Sequence, residues 1–360
     1  MPESQLSDGS TLSIEISEPP FDPSWDWERL CWWSPIREEM MKGELNRWLY
    51  APHFIGRING QFAGSMSYYT PRDTRDVGIV GFVSTEEQFR RRGIASTLMS
   101  KLIRKFTSQG GQALYLCTTN SIAGDLYESH GFRYHLGDGM RYLSPDASDF
   151  DDRWFAPCSP VTIREANWAD IARVAVLYNH RDPAWLIKDS LSASFRDTRY
   201  ESHFMHLMRQ IENTKGSFFV VEASGSRIVG SVVFKRLDSF YEQHVAELSL
   251  RLSQQYFSHA RSLLDQAAQR AENMGIQQFA LMVAATDYDQ LKLAARAGFV
   301  AGPCWPRRLY DNGRFTDMRI MLRDLKPSEV VVRTRDSFYG ERQPWQQDRI
   351  ASETMPTKTE

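Results

Sequence analysis

Cysteine is scarce in this chain: Cys31, Cys117, Cys158 and Cys304 are the only four in 360 residues. They form no CxxC pair and no cluster with histidine, so neither a disulfide framework nor a zinc site is indicated, and no metal is expected. The four thiols read as small buried apolar groups. Positive charge is not in excess either. With 43 Lys and Arg against 45 Asp and Glu, the formal charge is -2, which offers no electrostatic footprint for a nucleic-acid backbone. No apolar run approaches the ~18 residues of a membrane helix, and "MPESQLSDGSTLSIEIS" has neither the basic start nor the apolar stretch of a secretory leader. The expectation is a cytoplasmic protein with no membrane or nucleic-acid partner.

What is present is an ordinary globular composition, 42% apolar and 24% charged, over a length that suits about two domains. The Pro-, Ser- and Asp-rich stretch "LSPDASDFDDRWFAPCSP" reads as an interdomain linker. The expected organisation is a domain over 1–145, a linker over 146–160, a second domain over 161–327, and an arm or tail over 328–360. The halves resemble one another. "FIGRINGQFAGSM" from Phe54 matches "VVEASGSRIVGSV" from Val220, each a strand, a turn at Asn59-Gly60 or Ser224-Gly225, and a second strand. The helix "IASTLMSKLIRKFTSQG" matches "HARSLLDQAAQRAENMG", and short helices ending at Gly131-Phe132 and Gly298-Phe299 follow at an offset of about 166. A duplicated α/β unit is implied.

In the first half, "RRRGIAS" lies between the strand "VGIVGFVST" and a helix. Arg90, Arg91, Arg92, Gly93, Ile94, Ala95 and Ser96 therefore stand at a helix N-terminus, where free N–H groups and the helix dipole favour an anion. Gly93 permits close backbone approach. Further on, Asn120 precedes a helix on which Ala123 and Tyr127 share a face one turn apart. By composition alone the arginines would be a solvated face and Tyr127 a packed residue; their order along the chain favours a site.

Together, the strand "GFVST", the loop "RRRGIA" fitting R/Q-x-x-G-x-G/A, and "NSIAGDLYESHGF" fitting N-x-x-A-x-x-x-Y-x-x-x-G-F resemble the GNAT superfamily of acyl-CoA-dependent N-acyltransferases. The clear match covers Phe54 to Tyr142, and the weaker second copy resembles a tandem arrangement. The resemblance implies an α/β (α+β) fold of two tandem domains, each a mixed, mostly antiparallel twisted sheet flanked by helices. A gap between its fourth and fifth strands would take acetyl-CoA or another acyl-CoA. By position, the N–H groups of Arg90 to Ala95 would cradle the pyrophosphate, Phe82, Val83, Ser84 and Thr85 would line the pantetheine arm, Asn120 would face that arm, and Tyr127 would be the general acid. The strand carries no carboxylate, so Asp76, Glu86, Glu87 and His130 stand only as candidates for the base.

The second half departs from these motifs. Ser258 or His259 stands where Gly93 does, Tyr256-Phe257 replace arginines, Ala294 replaces the tyrosine and Asp287 the asparagine. A degenerate domain that shapes the first one's pocket is expected. For the acceptor, Trp25, Trp27, Trp32 and Trp33 would line an aromatic pocket with Glu38 or Glu39 attracting a cationic amine, and Tyr68 and Tyr69 are further candidates. The hairpin "RRLYDNGRFTDMRIML" is placed to reach the neighbouring domain. The implied activity is N-acetylation of a small-molecule amine; a non-catalytic acyl-CoA-binding scaffold, and a thioester hydrolase or O-acyltransferase on the same fold, remain open, as does a monomeric or homodimeric state.

Overall fold

A computed structural model describes residues 3–22, 37–191, 200–213 and 215–326. Two mixed sheets make up the chain. In the first, β1 (Glu3–Gln5), β2 (Thr11–Ser17), β4 (His53–Ile58), β5 (Gln61–Pro71), β6 (Val77–Thr85), β7 (Ala113–Cys117), β9 (Gly139–Leu143) and β8 (Arg133–Leu136) lie side by side in that order, and β3 (Leu49–Tyr50) pairs with β5. Only β6 and β7 run parallel, joined by α2 (Ile94–Ser108) as a crossover. A short α1 (Arg37–Met41) precedes β3, and α3 (Ser121–Ser129) connects β7 to β8.

The second sheet repeats the plan: β10 (Val161–Glu165), β11 (Gly216–Ala223), β12 (Arg227–Arg236), β13 (Val245–Leu252), β14 (Gln278–Ala284), β16 (Arg314–Asp324) and β15 (Val300–Asp311). Again one pair is parallel, β13 with β14, and its crossover is α7 (Ala260–Asn273). α8 (Tyr288–Arg296) matches α3. Hairpin turns follow the sequence: Asn59-Gly60 and Asn312-Gly313 adopt the two successive positive φ values of a type I′ turn. In the second copy, those values fall on Gly225-Ser226, one residue later than expected.

Between the sheets lies α5 (Ile171–Asn179), "IARVAVLYN", in which every residue is buried. A helix apolar on all sides must be covered on all sides. It packs on β5 and β6 of the first sheet and on β12 and β13 of the second, so one face of the first sheet is covered by a helix of the second half. Arg173 of this helix, 3% exposed, donates to Asp73 Oδ1 at 2.6 Å. α6 (Tyr200–Glu212) adds the pair of Arg209 with Glu39 at 2.5 Å.

The connecting segment is no loose spacer. It contains α4 (Phe150–Phe155), whose Phe150, Trp154 and Phe155 are buried, and Trp154 Nε1 donates to Ile228 O at 3.1 Å. Nor are the cysteines core groups: Cys117 and Cys158 are half-buried and Cys304 is exposed. The β15–β16 hairpin leaves Tyr310 and Phe315 more than half exposed; its tip is therefore solvated and not seated on the first domain. Cys31 and the 328–360 tail lie outside the described residues. No helix of the described residues is long and apolar enough to cross a membrane.

Candidate active-site cleft

The first sheet is split where its single parallel pair ends. β6 and β7 pair from Val77↔Ala113 to Ile79↔Tyr115 and no further. Among the described strands, Val80 to Thr85 pair only with β5, so β6 and β7 part into a notch beyond Ile79. Within that stretch the β5 register slips: Ser67 faces Gly81 while Ser65 faces Ser84. Phe82 and Val83 therefore share one opposite residue, Met66, which is a β-bulge that leaves backbone outside the ladder. Phe82 takes φ 58, a costly conformation for a bulky side chain. Its ring is held by stacking on His53, with centroids 5.3 Å apart.

His53 is a residue that sequence reasoning missed. It is fully buried, its Nδ1 lies 3.1 Å from Ala51 O, and its Nε2 has no partner among the described residues. Burial pushes its pKa down to about 4. A lone histidine in an apolar strand carries no signature of such a position.

Beyond β6 the chain turns into α2. Arg91 and Gly93 take φ 62 and 85, and Gly93 is the N-cap, with no side chain capping the helix. The N–H groups of Arg92 through Ser96 meet no acceptor among the described residues. A Cβ added at Gly93 would meet nothing within 4 Å, so its approach side is open. An uncapped helix N-terminus with an open approach is a geometry that can hold an anion on backbone alone. Two of the arginines support it from within: Arg90 Nε donates to Thr85 O at 3.3 Å, and Arg92 pairs with Asp8 at 3.2 Å.

α3 flanks the same end. Asn120 is its N-cap, Oδ1 accepting from Ile122 N at 3.0 Å and Ala123 N at 3.4 Å, which leaves the amide nitrogen available. Tyr127 is 7% exposed, and burial raises its pKa to about 12. Its hydroxyl has no hydrogen-bond partner among the described residues. His130 joins the two helices: Nδ1 lies 2.9 Å from Leu126 O, and Nε2 3.1 Å from Ser96 Oγ.

Other expected residues are elsewhere. Tyr68 is fully buried beneath α2, its ring 5.4 Å from Phe106 and its hydroxyl donating to Gln109 at 2.9 Å; as a core residue it lines no acceptor pocket. Tyr69 is equally enclosed, on the face towards α5. Strand alternation sends the two rings to opposite faces, and both faces are covered. Asp76 precedes β6, at the far end from the cradle, and accepts from Thr74 and Val77. Glu38 is exposed and paired with Lys42, while Glu39 is bound to Arg209. Glu86 holds the N-cap position of a short 3-10 turn without a side-chain capping bond, and the first residue of that turn, Glu87, is exposed to solvent. Trp25, Trp27, Trp32 and Trp33 lie outside the described residues.

The model of the acetyltransferase (GNAT) family matches residues 14–132 and again 162–299, more than half of the chain. The protein belongs to the GNAT acetyltransferase family. No curated protein matches it. Among solved structures it is similar to the putative acetyltransferase yncA from Salmonella typhimurium with acetyl-CoA, at 22% identity and TM-score 0.40, covering 49% of this chain and 99% of that one. A phosphinothricin acetyltransferase from Sinorhizobium meliloti in complex with AcCoA gives 18%, 0.41, 48% and 96% in the same terms. Spermidine N-acetyltransferase from Vibrio cholerae, with CoA and spermine, gives 19%, 0.38, 46% and 95%.

The two GNAT domains differ where the first has its cleft. β13 runs against β12 without a slip, so that Leu250 alone faces Val232 where the first domain has Phe82 and Val83. The loop before α7 is a 3-10 turn, Gln254–His259, and the N-cap of α7, His259, sits at φ -88. Tyr256 is 2% exposed and donates to Ala156 O at 2.6 Å. The second GNAT domain thus keeps the architecture while lacking the bulge, the left-handed turn, the glycine and the tyrosine.

Proposed function

We propose that the first domain transfers an acetyl or similar acyl group from acyl-CoA to the primary amine of a small molecule, and that the second domain does no chemistry. The observation that carries this reading is the pairing of a bulged strand edge with an open backbone cradle, found in one domain and missing from its repeat. The cradle fits the proposed donor: unpaired N–H groups at a helix N-terminus suit a pyrophosphate, and Gly93 lets it come close. The strand edge at Val83 to Thr85 would hold the pantetheine amides. Bound there, acyl-CoA supplies an activated thioester.

The chain's own groups would then align and stabilise. The backbone N–H of Val83, on the same bulge, would donate to the oxygen that gains charge when the amine attacks. Tyr127, neutral at any working pH because burial raises its pKa to about 12, donates a hydrogen bond to the departing sulfur. Such a phenol is a weaker acid than a thiol of reference pKa about 8.5, so it stabilises the thiolate more than it gives up its proton outright. Alignment of two substrates supplies most of the acceleration. The base is not assigned: Asp76 is at the wrong end of β6, and both ring nitrogens of His130 are engaged.

Release of free thiol from acetyl-CoA, measured with a panel of small amines, tests the reading. Amine-dependent release is expected. Amine-independent release would make the protein a thioester hydrolase, and binding without release would make it a scaffold.

A further inference from the structure

The second domain keeps the notch. β13 and β14 pair from Val245↔Gln278 to Leu248↔Leu281 and then part, as β6 and β7 do. Beyond that point, however, the segment that follows α5 spans both walls. On the β13 side, Ser190 Oγ donates to Leu248 O at 2.8 Å and Ser190 N to Ser249 Oγ at 3.3 Å. On the β14 side, Leu186 N donates to Asp287 Oδ2 at 2.8 Å, and Ile187, 2% exposed, packs with Ala284 and Met318.

The outer end is closed as well. Trp185 stacks on Phe257 with rings 5.8 Å apart, and the fully buried Arg251 donates to Pro183 O at 2.9 Å and His180 O at 2.8 Å. One further β13 carbonyl, Leu250 O, accepts from Gln290 Nε2 of α8 at 3.3 Å. These contacts fall on the counterparts of the first domain's proposed donor site: the β13 edge for the β6 edge, Asp287 for Asn120, and Phe257 for the arginine loop.

We propose that residues Pro183 to Leu191 are a built-in ligand of the second domain, lodged where an acyl-CoA arm would run, so that the chain holds one acyl-CoA and not two. This rests on reading the first domain as the acyl-CoA site. The physical reason is the strand edge itself. A notch in a sheet exposes backbone groups that need partners, and a domain that binds no external ligand meets the need from its own chain. Being tethered, the segment is always present at high effective concentration. Displacing it would also disturb α5, from which it continues and which backs β5 and β6. A pocket of about 450 Å³ remains outside it, lined by Trp185, Asp287, Tyr288, Asp289 and Lys292 among others; two carboxylates there oppose a pyrophosphate.

Amide hydrogen exchange and calorimetric titration of the full chain with acetyl-CoA test this. In the ligand-free protein the Leu186 and Ser190 amides should exchange slowly. Acetyl-CoA should bind once per chain, slowing exchange at Arg91 to Ser96 and leaving 183–191 unchanged. Asp287→Ala should speed Leu186 exchange about tenfold, as loss of one hydrogen bond predicts, with the stoichiometry still one. Two acetyl-CoA per chain, faster exchange of 183–191 on adding acetyl-CoA, or free exchange of Leu186 and Ser190 without it would each overturn the proposal. Absence of any acetyl-CoA binding would defeat the reading of the first domain, while slow or fast exchange in the ligand-free chain would still decide whether the segment fills the notch.

Discussion

Ser96 Oγ, in the first turn of α2, lies 3.1 Å from His130 Nε2 at the end of α3. Through that contact the backbone cradle and Tyr127 belong to one frame. Replacing His130 with Ala removes hydrogen bonds worth about 1 kcal/mol each and lets the two helices separate. The KM for acetyl-CoA should rise about tenfold, with kcat less affected, in steady-state assays of both constants. A large fall in kcat at unchanged KM would instead make His130 the base.

Tyr127→Phe separates chemistry from packing. The hydroxyl has no partner among the described residues, so thermal stability should be unchanged. kcat should fall ~10²-fold, the range of one positioned proton donor, with little change in KM. Near-wild-type turnover would remove Tyr127 from the mechanism.

Gly93→Ala probes the cradle. The new methyl meets nothing in the protein, but φ 85 strains any residue with a Cβ, at ~1–2 kcal/mol. A lower melting temperature and weaker acetyl-CoA binding by calorimetry are both expected. The mirror change, His259→Gly, should create no second binding site.

His53 sets a pH dependence. Its pKa is lowered to about 4 by burial, below the unfolded value of about 6.5. Its neutral form is favoured by folding, so its contribution is whole above pH 6.5, declines as pH falls because only the unfolded chain takes the proton, and levels off below about 4. Over that window the loss is about 3 kcal/mol. His135 and His180, lowered to about 4 chiefly by burial, act in the same direction. Denaturant midpoints of His53→Gln at pH 7 and pH 5 should differ less than those of the wild type; an equal difference would rule His53 out as a source.

The sequence by itself determined much of this. The duplication, the strand-turn-strand units at Asn59-Gly60, the crossover helices, the arginine-glycine loop and the tyrosine helix all follow from local periodicity and turn chemistry, which act over a few residues. So did the erosion of the second copy, since His259 and Ala294 stand in positions where the first copy has Gly93 and Tyr127. Tertiary structure alone decided the rest. That Tyr68 and Tyr69 are core, that His53 supports Phe82, that β6 carries one residue more than β13 between matching pairs, and that 183–191 fills the second notch depend on strand register and on which face a neighbouring helix covers. Those are contacts between segments distant in sequence. A helix such as α5 announces its burial by being apolar all round, but only the packed structure shows that two sheets bury it.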